Sequence, residues 1–247
     1  MNTNYPDYEG YEDLGGFTAP QLLAYRQMLL DKTKAQVDFI KKHVPKYGKI
    51  LEIGSGNGRL LIAMAERGLL EHGAGLDLSQ SRVQFANKWA DDTGHDDKMT
   101  FVNSDVLNRD HEGGFFDLAV CITGCFQYFF PISPDAPLKV MTYMRKSAKY
   151  SLFELYKRPK IGRTWRPLPE EDQFVYLLDE YEEVESYVRH TKRFVGLTDK
   201  GQYKHDTKIE NLAYYSMYAF KQLLQTAGYK KVLYSKETRD SMVVLAG

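Results

Sequence analysis

The feature that most restricts how this chain can fold is Lys49-Ile-Leu-Glu52-Ile-Gly54-Ser-Gly56-Asn-Gly58-Arg59, an apolar strand running directly into a glycine-rich turn and then a helix. Glycines at such a junction let the backbone approach a ligand where a Cβ would intrude. The dinucleotide-binding form of this turn wants its third glycine at position 59, which is arginine here. That form also has no need of an acid two residues before the first glycine. The segment reads instead as acid-x-Gly-x-Gly-x-Gly.

Around it, strand-like and helix-like segments alternate. Strands are predicted at 49–53, 74–78, 99–102, 116–122 and 150–155, with helices at 58–67, 79–92 and about 133–148. Thr18, Pro20 and Gln21 have the form of a helix start with a capping box, and that helix should end near Val44, before Pro45. The alternation implies an α/β fold, a doubly wound, Rossmann-like, mostly parallel sheet with helices on both faces. After Lys157 the pattern changes. Residues 158–185 hold three prolines, a basic stretch and then an acidic one, and read as a connection. Residues 184–197 and 203–213 are β-prone runs around Thr198-Asp199-Lys200-Gly201, an inserted antiparallel β ribbon. A helix capped by Ser216 and ended by Gly228 follows. Strands at 230–234 and 241–245 then form an antiparallel C-terminal hairpin, bringing the sheet to seven strands. The expected organisation is an arm and helix at 1–44 acting as a lid, a core at 45–157 and 214–247, and the insert at 158–213.

Composition narrows the function. Lys plus Arg and Asp plus Glu are both 33, so no overall basic field points to nucleic acid. No apolar run approaches the roughly 18 residues that span a bilayer, and the acidic, tyrosine-rich start lacks a secretory signal. A cytoplasmic protein with no membrane partner is expected. Cys121 and Cys125 are the only cysteines and read as free thiols. No His/Asp/Glu cluster has metal-ligand spacing, so no metal is expected.

With these motifs in order, the chain resembles the class I S-adenosylmethionine-dependent methyltransferases over roughly residues 45–156 and the last strands. The resemblance implies S-adenosylmethionine as cofactor. Glu52 with Gly54, Gly56 and Gly58 would hold its methionine part, Asp77 with Leu78 its ribose, and Asp105 with Val106 its adenine. The strand Phe116-Asp117-Leu-Ala-Val-Cys-Ile122 would place Ile122 beside the sulfonium. The Asn/Asp-Pro-Pro-aromatic tetrapeptide of enzymes that methylate nucleic-acid and protein-glutamine amines is replaced by Thr123-Gly-Cys-Phe-Gln-Tyr128. The chain is more similar to small-molecule N-methyltransferases of amino sugars and glycine-type amines, which also carry a β insertion.

Methyl transfer by in-line displacement needs alignment and exclusion of water more than specialised side chains. Candidate catalytic residues are Tyr128 just past the fourth strand, His190 on the ribbon as a base titrating near neutrality, and Glu154 at the end of the fifth strand. Tyr11 and Phe17 of the arm, Tyr128, and Arg163 with Trp165 in the connection are candidate substrate contacts. The function expected is methyl transfer to a nitrogen of a small metabolite, with an O-methyltransferase or a non-catalytic binder of the same cofactor as alternatives. The chain reads equally as a monomer or a homodimer.

Overall fold

The computed structural model describes residues 18–110, 113–167, 176–197 and 202–247. Tyr11, Phe17 and the predicted 198–201 turn lie outside the described residues. In chain order the elements are α1 (Ala19–His43), β1 (Lys49–Ile53), α2 (Arg59–Glu66), β2 (His72–Asp77), α3 (Gln80–Asp92), β3 (Met99–Asn103) and β4 (Phe116–Cys121). Then come α4 (Phe129–Ile132), α5 (Ala136–Ser147), β5 (Ala148–Tyr156), β6 (Gly162–Pro167), β7 (Tyr176–Val184), β8 (Tyr187–Leu197) and β9 (Tyr203–Leu212). The chain closes with α6 (Met217–Thr226), β10 (Val232–Glu237) and β11 (Ser241–Ala246).

Seven strands form one sheet in the order β10-β11-β5-β4-β1-β2-β3. Only β11 runs against its neighbours, pairing antiparallel with both β5 and β10. From β1 the chain winds outward to β3 and then returns to β4 on the other side of β1. That reversal opens a crevice at the carboxyl ends of β1 and β4, where ligands of such sheets bind.

Period-two alternation sends neighbouring side chains to opposite faces. Ile50, Leu118, Val120 and Leu245 join α1, α2 and α3 in one buried layer. Leu51, Ile53, Ala119, Phe153 and Val244 join α5 and α6 in the other. The helix starts follow their caps: the Thr18 backbone N–H donates to Gln21 Oε1 at 2.9 Å, and Ser79 Oγ accepts from the Arg82 N–H at 3.3 Å. The helix predicted at about 133–148 begins later than its sequence pattern suggests, at Ala136. A 3₁₀ turn at Cys125–Tyr128 and the short α4 precede it and place Phe126 and Phe129 in the core.

The insert is larger than a two-stranded ribbon. It is a four-stranded antiparallel sheet in the order β6-β7-β8-β9. Residues read as a connection supply β6 and β7. Their prolines mislead because Pro167 is the last residue of an edge strand, where a missing N–H costs no ladder bond. The acidic run misleads because its members alternate faces and find basic partners across the strands. The insert is tied to the main sheet by the fully buried Gln127. Its side-chain nitrogen donates to the carbonyls of Tyr156 and Ala213 at 3.2 and 3.1 Å, and its oxygen accepts from the Tyr156 N–H at 2.8 Å.

Candidate functional site

At the end of β1 the glycine turn takes a backbone that glycine permits. Gly54, Gly56 and Gly58 all have left-handed φ, at +68°, +53° and +78°. A Cβ on Gly54 would stand 2.1 Å from Cys125 Sγ, and one on Gly58 2.6 Å from the Phe101 ring. Asp77 fixes the turn from the end of β2. Its carboxylate accepts the Gly56 N–H at 2.7 Å and the Ser79 N–H at 2.9 Å, so backbone amides hold it in one orientation.

Glu52 sits under this turn and is 4 % exposed. Burial pushes its carboxyl up to about 8, with Asp77 adding to the rise and Arg59 opposing it. Among the described residues its Oε2 has no hydrogen-bond partner, nor has the buried Ser55 Oγ. An orphaned buried carboxyl oxygen facing a cavity is a place for a donor to arrive.

Past β4 the backbone turns sharply at Thr123, whose φ of +57° is unusual for a β-branched residue. Glu154 holds the turn: its Oε2 accepts the Thr123 N–H at 3.1 Å and the Gln36 amide at 2.8 Å. Arg59 donates to Thr123 Oγ1 at 3.1 Å. Glu154 is thus engaged in shaping the turn and does not line the cavity.

Glu52, Gly54, Gly56, Asp77, Ile122 and Tyr128 all line one cavity of about 1010 Å³, edged by Tyr25, Met28 and Lys32 of α1. An adjoining apolar recess of about 80 Å³ is bounded by Leu78, Asp105, Val106, Cys125 and Tyr128. Asp105 caps the short turn after β3, accepting the Leu107 N–H at 2.9 Å and the Asn108 amide at 2.8 Å. Gly58 lies beneath the turn against Ala86 and Phe101, where its role is close packing. Cys121 and Cys125 are free thiols.

The far wall of the cavity is the inserted sheet. His190 on β8 lies directly across from Tyr181 on β7 and Glu210 on β9. Its Nε2 is 2.7 Å from Asp179 Oδ1 and its Nδ1 is 3.6 Å from Glu210 Oε2. Its ring stacks on Tyr181 with centroids 4.1 Å apart. Lys192 donates to Glu210 Oε1 at 2.6 Å, and Arg166 to Asp179 Oδ2 at 3.2 Å. Burial pushes Glu210 up, but the His190 ring and the Lys192 ammonium more than offset it and bring its carboxyl down to about 2. Burial also raises the phenols of Tyr181 and Tyr214 on this wall, and of Tyr156 at the end of β5.

The structure therefore brings His190 and Tyr128 to the same cavity as the glycine turn. It does not bring Arg163 and Trp165 there: both lie on the edge strand β6, where Trp165 is 61 % exposed and Arg163 is ion-paired with Glu180. Asp179, Tyr181 and Glu210 escape the sequence reading. Their signal is the alternation Leu177, Asp179, Tyr181 within the acidic run, which marks an inward-facing strand face.

Residues 50–147 match the family model described as a methyltransferase domain. Over 95 residues, 36 % of this chain, the sequence is 24 % identical to the protein-lysine N-methyltransferase EFM4 of Saccharomyces cerevisiae. The match spans 42 % of the length of that yeast enzyme. Among solved structures, the fold superposes on CalS10, an amino pentose methyltransferase from Micromonospora echinaspora, with a TM-score of 0.72 and 17 % identity. That superposition covers 96 % of this chain and 99 % of CalS10. A S-adenosylmethionine-dependent methyltransferase from Clostridium acetobutylicum superposes with a TM-score of 0.70 and 16 % identity, over 87 % of this chain and 89 % of the other. The family-model match supports a methyltransferase domain over residues 50–147, and the superpositions show that this chain shares the fold of CalS10 and the clostridial enzyme. No helix among the described residues is long and apolar enough to cross a membrane.

Proposed function

We propose that this chain transfers a methyl group from S-adenosylmethionine to a nitrogen of a small metabolite in the cytoplasm. The observation that carries the reading is the glycine turn clamped by Asp77 above the unpartnered Glu52 oxygen, in a cavity that the inserted sheet walls on its far side. When bound there, the cofactor supplies an electrophilic methyl carried on a sulfonium.

The residues fit that group. Glu52 Oε2 is set to accept from an ammonium such as that of the methionine part, and Gly54 and Gly56 admit its chain. Asp77, already oriented by two amides, keeps lone pairs for ribose hydroxyls, and Leu78, Asp105 and Val106 border a recess suited to a flat heterocycle. Ile122 and the Glu154-held turn at Thr123 form the floor between cofactor and acceptor, and Tyr128 stands where both cavities meet, able to orient the acceptor. The likeness to CalS10 extends through the insert, and this favours a small acceptor. The match to the yeast protein-lysine enzyme covers a shorter stretch and gives weaker support for a protein acceptor. A net charge of zero gives no support to a nucleic-acid acceptor.

Calorimetry with S-adenosylhomocysteine tests the cofactor part. Asp77→Ala should weaken binding by about 1.5–3 kcal/mol through loss of a charge-assisted pair. Unchanged affinity removes Asp77 from the site. Transfer of labelled methyl to a metabolite mixture, with the modified atom identified by mass spectrometry, separates nitrogen from oxygen acceptors and both from a protein that only binds.

A further inference from the structure

The imidazole of His190 is 7 % exposed and has a carboxylate within reach of each ring nitrogen. Carboxylates only accept, so the 2.7 Å contact puts the ring hydrogen on Nε2, toward Asp179. Nδ1 is the other ring nitrogen, and it faces Glu210 Oε2 at 3.6 Å. In the neutral form of the ring, Nδ1 and Glu210 Oε2 are two acceptors face to face on a cavity wall, a slot for a proton. The neighbouring groups are already balanced: Lys192 sits on Glu210 and Arg166 on Asp179, while Tyr181 and Tyr214 are neutral phenols. Asp179 does not line the cavity, whereas His190, Tyr181, Lys192 and Glu210 do.

We propose that Glu210 and His190 form the acceptor site of this enzyme, that they bind a cationic amine, and that they remove its proton. The proposal rests on the methyltransferase reading and names the acceptor class for it. Glu210 Oε2 accepts the ammonium N–H. That bond breaks, its electron pair stays on the substrate nitrogen as the lone pair that attack requires, and a new N–H bond forms on His190 Nδ1. The resulting imidazolium donates to Asp179 and Glu210 and returns its proton to water after the amine has reacted. Asp179 is a positioning residue that fixes the tautomer. A neutral alcohol is served less well by this arrangement, because it brings no positive charge to pair with the Glu210 carboxylate on the cavity wall.

The test uses matched pairs, glucosamine with glucose, benzylamine with benzyl alcohol and ethanolamine with ethylene glycol, each with labelled S-adenosylmethionine and the full chain. Amines are methylated and their hydroxyl partners are not. His190→Gln lowers kcat about 100-fold at pH 7, and the deficit shrinks towards pH 10, where the free amine no longer needs a base. Asp179→Asn lowers kcat in the same pH-dependent way with KM for the amine unchanged. Glu210→Gln raises KM for the amine at least tenfold. All three variants bind S-adenosylhomocysteine within twofold of the parent.

A His190→Gln deficit equal at pH 7 and pH 10 means a structural role and overturns the proposal. Methylation confined to the hydroxyl compounds also overturns it, as does S-adenosylhomocysteine binding with no amine product. If the parent chain gives no heat with S-adenosylhomocysteine, the methyltransferase reading itself falls.

Discussion

The two walls of the cavity are made from different materials. On the side of the seven-stranded sheet, the cavity is lined by a tight backbone turn with the left-handed glycines Gly54 and Gly56 and by the Asp77 carboxylate, which N–H groups orient. On the side of the inserted sheet it is lined by side chains, among them His190, Lys192 and Glu210, which are joined to one another across the strands. A site made of backbone tolerates almost no change at its glycines and leaves a compact signature. A site made of cross-strand side chains spreads its signature over residues 179 to 210. The comparison can be broken at the glycines first.

Gly54→Ala places a Cβ 2.1 Å from Cys125 Sγ in a backbone conformation with φ of +68°. Left-handed strain alone costs about 1–3 kcal/mol, and the overlap forces the turn or Cys125 to move as well. Affinity for S-adenosylhomocysteine should fall at least about 1000-fold, near 4 kcal/mol. Calorimetry on the folded variant checks it, and an affinity within tenfold of the parent means the turn is not the cofactor cradle.

The pH response of the walls sharpens the contrast, because their buried carboxyls are shifted in opposite directions. Glu210 has its folded value lowered to about 2 from an ordinary 4.5, so it stabilises the fold above pH 4.5 and loses that contribution as pH falls towards 2. Glu52 has its folded value raised to about 8, so the folded chain holds a proton that the unfolded chain has released. Stability from Glu52 is therefore full below pH 4.5 and declines as pH rises towards 8. Each contribution is about 3 kcal/mol, for Glu210 across its full range and for Glu52 between pH 4.5 and 7. Urea unfolding across pH should show Glu210→Gln flattening the acid limb and Glu52→Gln flattening the neutral limb. The same limb flattened by both variants contradicts the opposed shifts.

The difference in material also explains what the sequence made legible. The strand-turn-helix at 49–66, the capping box at Thr18 and the closing hairpin rest on local rules, and each lies within a few residues of its predicted place. Asp77 and Asp105 are visible because they end strands. Strands β6 and β7 were hidden, because Pro159, Pro167 and the acids at 179–183 are loop signals until a partner strand exists. His190 was visible as a residue type but its partners were not: Asp179 is 11 positions away and Glu210 is 20, and only the register joins them. Trp165 and Arg163 show the converse, residues of binding type that topology sends to an edge.

That edge gives the smallest effect. Trp165 is 61 % exposed on β6, so its truncation removes little buried area and should change stability by no more than about 0.5 kcal/mol. Arg163 has a side chain 70 % exposed, and its partner Glu180, buried, is also held by Arg193. Arg163→Ala thus leaves no uncompensated charge and should cost less than about 1 kcal/mol. Neither variant should shift the affinity for S-adenosylhomocysteine or the KM for an amine by more than twofold, since neither side chain reaches the cavity. A tenfold rise in KM with either variant would bring β6 into the acceptor site and make the outer strand, as well as the His190 row, part of the wall that chooses the substrate.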